Sequence, residues 1–102
     1  MQLPSEFKAV CQNMGPGLDE FAKSLDDLVF IALNGIGLAD SEIISNFLDD
    51  LLSKQLSPDQ LKEFWWSTPA ATVFHRGEDV ATFLTRMRDI LALPPYSSRA
   101  KT

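Results

Sequence analysis

Cysteine and histidine are almost missing from this chain of 102 residues, which has one of each, Cys11 and His75. A single cysteine cannot close a disulfide within the chain, so nothing points to an oxidising compartment. No Cys pair, no His pair and no Asp-rich loop with calcium spacing is present, so no metal site and no cofactor are expected. Basic residues are also scarce: nine Lys and Arg stand against fourteen Asp and Glu, for a net charge of −5 and a pI near 4.6. That balance argues against nucleic acid or an anionic membrane surface as the main partner. Long apolar runs are missing too. The longest, LVFIAL at 28–33, falls far short of the ~20 residues a membrane span requires. No basic run followed by an apolar stretch marks a secretory leader at the N-terminus, and a cytoplasmic location is expected.

Alternation of apolar and polar residues, the signature of strands, is not sustained anywhere; helical spacing recurs instead. With 45% hydrophobic and 23% charged residues, the composition is that of a globular domain large enough to bury a core. An all-α bundle of five or six short helices is therefore expected over residues 1–95, with 96–102 as a flexible C-terminal tail. Ser5 can open a first helix reaching about Asn13, with Phe7, Val10, Cys11 and Met14 on one side; Gly15-Pro16-Gly17 ends it. A second region begins near Leu18, and Leu18, Phe21, Ala22, Leu25, Leu28, Val29, Ala32 and Leu33 form one stripe. Phe30 and Ile31 fall off that stripe, so the second half is apolar nearly all round and reads as the buried centre of the bundle. Ser24 ahead of Asp27 offers a break, and Asn34-Gly35 a stop.

Asp40 is a good N-cap for a helix to about Ser53 with Ile43, Ile44, Phe47, Leu48, Leu51 and Leu52 inward. Ser57-Pro58-Asp59-Gln60 is the strongest local signal in the chain: serine caps, proline takes the first helical position and glutamine reaches back. That helix runs to about Trp66 and buries Leu61, Phe64 and Trp65. Residues 67–74 are ambiguous between a short helix and an extended segment. A last helix, about 78–91, aligns Val80, Phe83, Leu84, Met87, Ile90 and Leu91, and Pro94-Pro95 prevents its continuation.

Little here resembles a catalytic set. His75, beside Arg76 in a glycine turn, reads as an exposed turn residue more readily than as a general base. Cys11 lies on the apolar side of its helix, where an inert buried thiol is expected. Gly35-Ile36-Gly37 lacks the third glycine, lysine and preceding strand of a phosphate cradle. Ala39-Asp40-Ser41 is similar to the Asp-Ser-Leu attachment site of acyl carrier proteins, which implies phosphopantetheine on Ser41. Glu42 stands where that family has an apolar residue, and ordinary helix-opening residues explain the motif equally well. An acyl-carrier-like or small-ligand domain is thus the alternative function, and no enzyme is expected.

Charge is distributed unevenly. Residues 18–60 hold nine carboxylates against Lys23 and Lys54, a net of −7, while residues 61–102 are net +2. On the third major helix Glu42, Asn46, Asp49 and Ser53 share one face, with Asp50 beside them, and carboxylates so arranged suit docking to a basic protein. Trp66 projects away from Leu61, Phe64 and Trp65. It either packs under residues 69–74, the commoner outcome, or serves a partner as a binding anchor. Finally, LSPDQLKEFWW at 56–66, FHRGEDV at 74–80 and Phe83-Leu84 resemble small acidic helical immunity proteins of bacteria, including those of contact-dependent growth inhibition systems. The likeness spans about residues 40–93. It implies a cytoplasmic, stoichiometric inhibitor that binds a cognate toxin domain, often a basic nuclease, and blocks its active site or substrate groove. Glu42, Asn46, Asp49, Asp50, Ser53 and Trp66 are the candidate partner-binding residues, on charge and periodicity alone.

Overall fold

The computed structural model describes residues 3–16, 23–70, 74, 76–93 and 96. Among them are five α-helices and no strand: α1 (Ser5–Gln12), α2 (Leu25–Ala32), α3 (Leu38–Ser53), α4 (Pro58–Trp66) and α5 (Gly77–Leu91). The all-α expectation holds. Leu18, Phe21, Ala22, His75 and the tail from Ser97 lie outside the described residues. Tyr96, expected in the tail, is half-buried against the core.

Each helix starts and stops for an identifiable reason. Ser24 accepts a hydrogen bond from the Asp27 amide and opens α2. Ser57 and Gln60 exchange the two bonds of a capping box at the head of α4, with Pro58 in the first turn. Gly35, at φ +80°, lets the chain leave α2 through the left-handed region. Gln55 takes the same region at φ 53° after α3, without glycine's freedom from Cβ strain. Two openings differ from expectation. Ser5 is already helical, and Pro4 precedes it as a cap with no side-chain bond. Helix α3 starts two residues before Asp40, on Gly37; Asp40 instead places its charge in the first turn, where the helix dipole favours it.

Helix α5 is the centre of the bundle, packing against α2, α3 and α4, while α1 covers α3 and α2. Its inward row, Val80, Phe83, Leu84, Met87, Ile90 and Leu91, is buried throughout. Helices α4 and α5 run side by side in the same direction: Gly77 abuts Pro58 at their N-terminal ends, and Trp65 meets Phe83 edge-on at 5.6 Å two turns later. Phe74 completes that aromatic group, 5.1 Å from Trp65 and 5.3 Å from Phe83. A second group, Phe7, Phe47 and Phe64, joins α1, α3 and α4 with centroids 4.9 to 6.3 Å apart.

The expectation that residues 28–33 form the buried centre is overturned. Helix α2 is a short peripheral element; Leu28, Val29 and Ala32 face the core, but Phe30 is 49% exposed and Ile31 only half-buried. It is held to α5 by a forked ion pair in which Arg86 Nε and Nη2 donate to Asp26 Oδ1 and Oδ2 at 2.6 and 2.9 Å. The Arg86 hydrogen bonds hold the Asp26 carboxyl below its usual 3.8. A carboxylate whose pKa is lower in the folded state stabilises the fold fully above its unfolded value and loses that contribution as pH falls through the folded one. The gap in urea midpoint between the wild type and Arg86→Gln is therefore expected to be constant at neutral pH and to close in acid, below the ordinary Asp range. A gap that persists there would place the role of Arg86 in packing. Both side chains remain about two-fifths exposed, so solvent screening keeps the gap small.

Candidate functional site

Successive α-helical residues turn by about 100°, and on α3 this sorts the side chains cleanly. Ser41, Ile44, Leu48 and Leu51 form the buried row. Glu42, Asn46, Asp49, Asp50 and Ser53 are all exposed on the opposite side, as the spacing predicts. The face is less purely acidic than expected, for two reasons. Arg88 of α5 comes within 3.9 Å of Asp49, and Lys54 within 3.5 Å of Asp50. These are exposed contacts of the kind that contributes little to stability and exchanges readily for another cation. Ser53 spends its hydroxyl proton on the Asp50 carbonyl at 2.7 Å, which leaves it an acceptor toward solvent.

Apolar groups are the second departure. Ile43, expected inward, is 43% exposed, and Leu38 is exposed as well. A signal for this exists in the sequence. Ile43 aligns with Ala39, Asn46 and Asp50 at i−4, i+3 and i+7, whereas the core row runs through Ser41, Ile44, Leu48 and Leu51. The outward face of α3 thus carries carboxylates between two exposed aliphatic side chains.

Trp66 is 59% exposed, so it does not pack under the following segment; Trp65 takes that role against Phe74 and Phe83. Lys62, one turn back, sets its ammonium 5.0 Å from the Trp66 ring centroid, a cation–π distance that orders the indole on the surface. The tryptophan is nonetheless apart from the α3 face. Phe64 points toward Phe47 of α3, and Trp66, two residues on, projects about 200° further round α4. Five of the six candidate residues share one face, and Trp66 belongs to another, with Asp59, Lys62 and Glu63 as its helical neighbours.

The remaining candidates are placed as follows. Ser41 is buried and donates to the Gly37 carbonyl at 2.9 Å, so its hydroxyl is turned into the first turn of α3 and away from a modifying enzyme. Among the described residues no group of three or more His, Cys, Asp or Glu is placed to hold a metal ion, and no helix is long and apolar enough to cross a membrane. Cys11 is fully buried, and burial pushes its thiol up to about 11 against a partial offset from a hydrogen bond with Thr68. At about pH 8 that alone leaves roughly a hundredfold less thiolate than the ordinary value of 9.0 would give. A disulfide reagent such as DTNB is expected to leave the native protein unlabelled over the time in which the urea-unfolded chain reacts fully. Labelling at equal rates would show Cys11 to be accessible. No family model, curated protein or solved structure matches this chain.

Proposed function

We propose that this chain is a non-enzymatic protein-binding module that docks a basic polypeptide on the outward face of α3, acting in the cytoplasm as an immunity protein that neutralises a cognate toxin domain of nuclease character. The observation that carries the reading is the composition of that face. Glu42, Asn46, Asp49, Asp50 and Ser53 lie exposed together, flanked by exposed Leu38 and Ile43. Carboxylates steer and orient a cationic partner, and desolvated aliphatic side chains on either side of them supply affinity. The cations that Asp49 and Asp50 meet now, Arg88 and Lys54, sit on the surface and can be displaced by those of a partner.

The test is capture with the full chain from extracts of its own source, in parallel with a variant carrying Glu42→Lys, Asp49→Lys and Asp50→Lys. A single basic polypeptide should be retained by the wild type at low salt, released as salt rises, and lost from the variant. Expressed alone, that polypeptide should arrest growth, and co-expression of the wild-type chain should restore it. Equal retention by the charge-reversed variant, or failure of co-expression to restore growth, refutes the assignment.

A further inference from the structure

A second surface runs along α2 beside the end of α1. Asn13, Asp27, Phe30, Ile31 and Asn34 line an open cleft of about 390 Å³. Asn13, at the end of α1, donates from Nδ2 to the Ala32 and Asn34 carbonyls, both at 2.9 Å. Those two bonds use both amide protons, so what its side chain has left to offer is the carbonyl oxygen, an acceptor. Asp27 accepts the Lys23 backbone amide on Oδ2 at 3.1 Å; among the described residues it enters no ion pair. Asp27 stands in the first turn of α2 and Asn34 just beyond its last, so the cleft runs the length of that helix; neither α1 nor α2 has a basic residue in its last turn. The Phe30 ring, half exposed, supplies an apolar wall.

We propose that this cleft takes the guanidinium of an arginine side chain presented by a polypeptide partner. The combination selects a cation: one carboxylate, a spare amide oxygen and an aromatic face. A planar guanidinium suits it better than a compact ammonium, because it can stack on Phe30 while donating to the Asp27 carboxylate one turn back. The source of the arginine rests on the reading of the chain as a binder of basic protein; the preference of the cleft for guanidinium does not.

The experiment titrates the isotope-labelled full chain with N-acetylarginine amide and, separately, with N-acetylcitrulline amide, whose urea group has the same shape without the charge. Arginine should give saturating NMR shifts in the Asn13 and Asn34 side-chain amides and the Phe30 ring, with citrulline at least about tenfold weaker. Phe30→Leu, which removes the ring, and Asp27→Asn, which keeps an oxygen for the Lys23 amide, should each weaken arginine about fivefold. Equal binding of the two probes, shifts outside the cleft, or variants that bind like the wild type overturn the proposal. No partner is needed, so failure here leaves the α3 assignment standing, and failure of capture through α3 leaves the guanidinium preference of the cleft standing but removes its polypeptide source.

Discussion

Replacing Gly77 by alanine is expected to cost about 3 kcal/mol of folding stability, although alanine is the better former of a helix interior by about 1 kcal/mol. Gly77 is the first residue of α5 and is buried. Its φ is not in the left-handed region, so space rather than backbone freedom is what glycine provides there. A Cβ at this position would land on the Pro58 carbonyl group. That obstacle is backbone, and it is pinned from both sides by the proline ring and by the Ser57–Gln60 capping box. The clash is relieved only by separating α4 from α5, which opens the contact between Trp65 and Phe83. Gly15→Ala is the control, because a Cβ there meets nothing within 4 Å, and its effect should stay within about 1 kcal/mol. Urea midpoints of the two variants decide the matter. A Gly77→Ala protein as stable as the wild type would mean that the helices do not approach as described.

The close approach at Gly77 also shows what linear reading misses. In the sequence this glycine closes a turn after His75-Arg76; nothing local indicates that another helix will lie against it. Elements governed by their own residues were legible. The capping box at 57–60, the stop at Asn34-Gly35 and the six-residue apolar row of α5 are all found where periodicity and cap chemistry put them. What depends on neighbours was not. Periodicity identifies side chains that could be buried, but the number of surfaces available to cover them is a property of the assembled bundle. Helix α2, apolar nearly all round, looked central, yet α5 occupies the centre, so Phe30 and part of Ile31 face outward. Ile43 is apolar yet 43% exposed, because it shares its side of α3 with Asn46 and Asp50 one and two turns on. Charge, too, is redistributed by folding. Along the sequence an acidic middle is separate from a basic end, but the fold lays Arg86 and Arg88 of α5 against Asp26 and Asp49, so the two halves partly cancel. The five-residue face on α3 survived this, because the spacing of its members is intrinsic to one helix; the membership of Trp66 depended on how α4 rolls against α3, which only packing decides.

The two adjacent tryptophans give the largest contrast between neighbouring residues. Trp65→Ala is expected to cost about 3–5 kcal/mol, a large share of the ~5–15 kcal/mol that holds a domain of this kind together. Trp65 is 1% exposed, and its ring is held edge-on by Phe74 and Phe83, so truncation leaves a cavity between α4 and α5 that fixed helix backbones cannot collapse into. Trp66→Ala removes a ring that is mostly in water and a cation–π contact with Lys62 at an exposed site. Its cost to folding should stay within about 1 kcal/mol. Fluorescence separates the two without relying on stability. Trp66→Phe leaves Trp65 as the sole indole, with blue-shifted emission that acrylamide barely quenches; Trp65→Phe leaves Trp66, red-shifted and readily quenched. Converse emission behaviour would mean that α4 is rolled by about 100° from the orientation described. Such a roll would bury Trp66, unseat the Phe74–Phe83 group and turn Phe64 away from Phe47. The emission pair therefore tests the packing of α4 as a whole, and with it the separation of Trp66 from the docking face on α3.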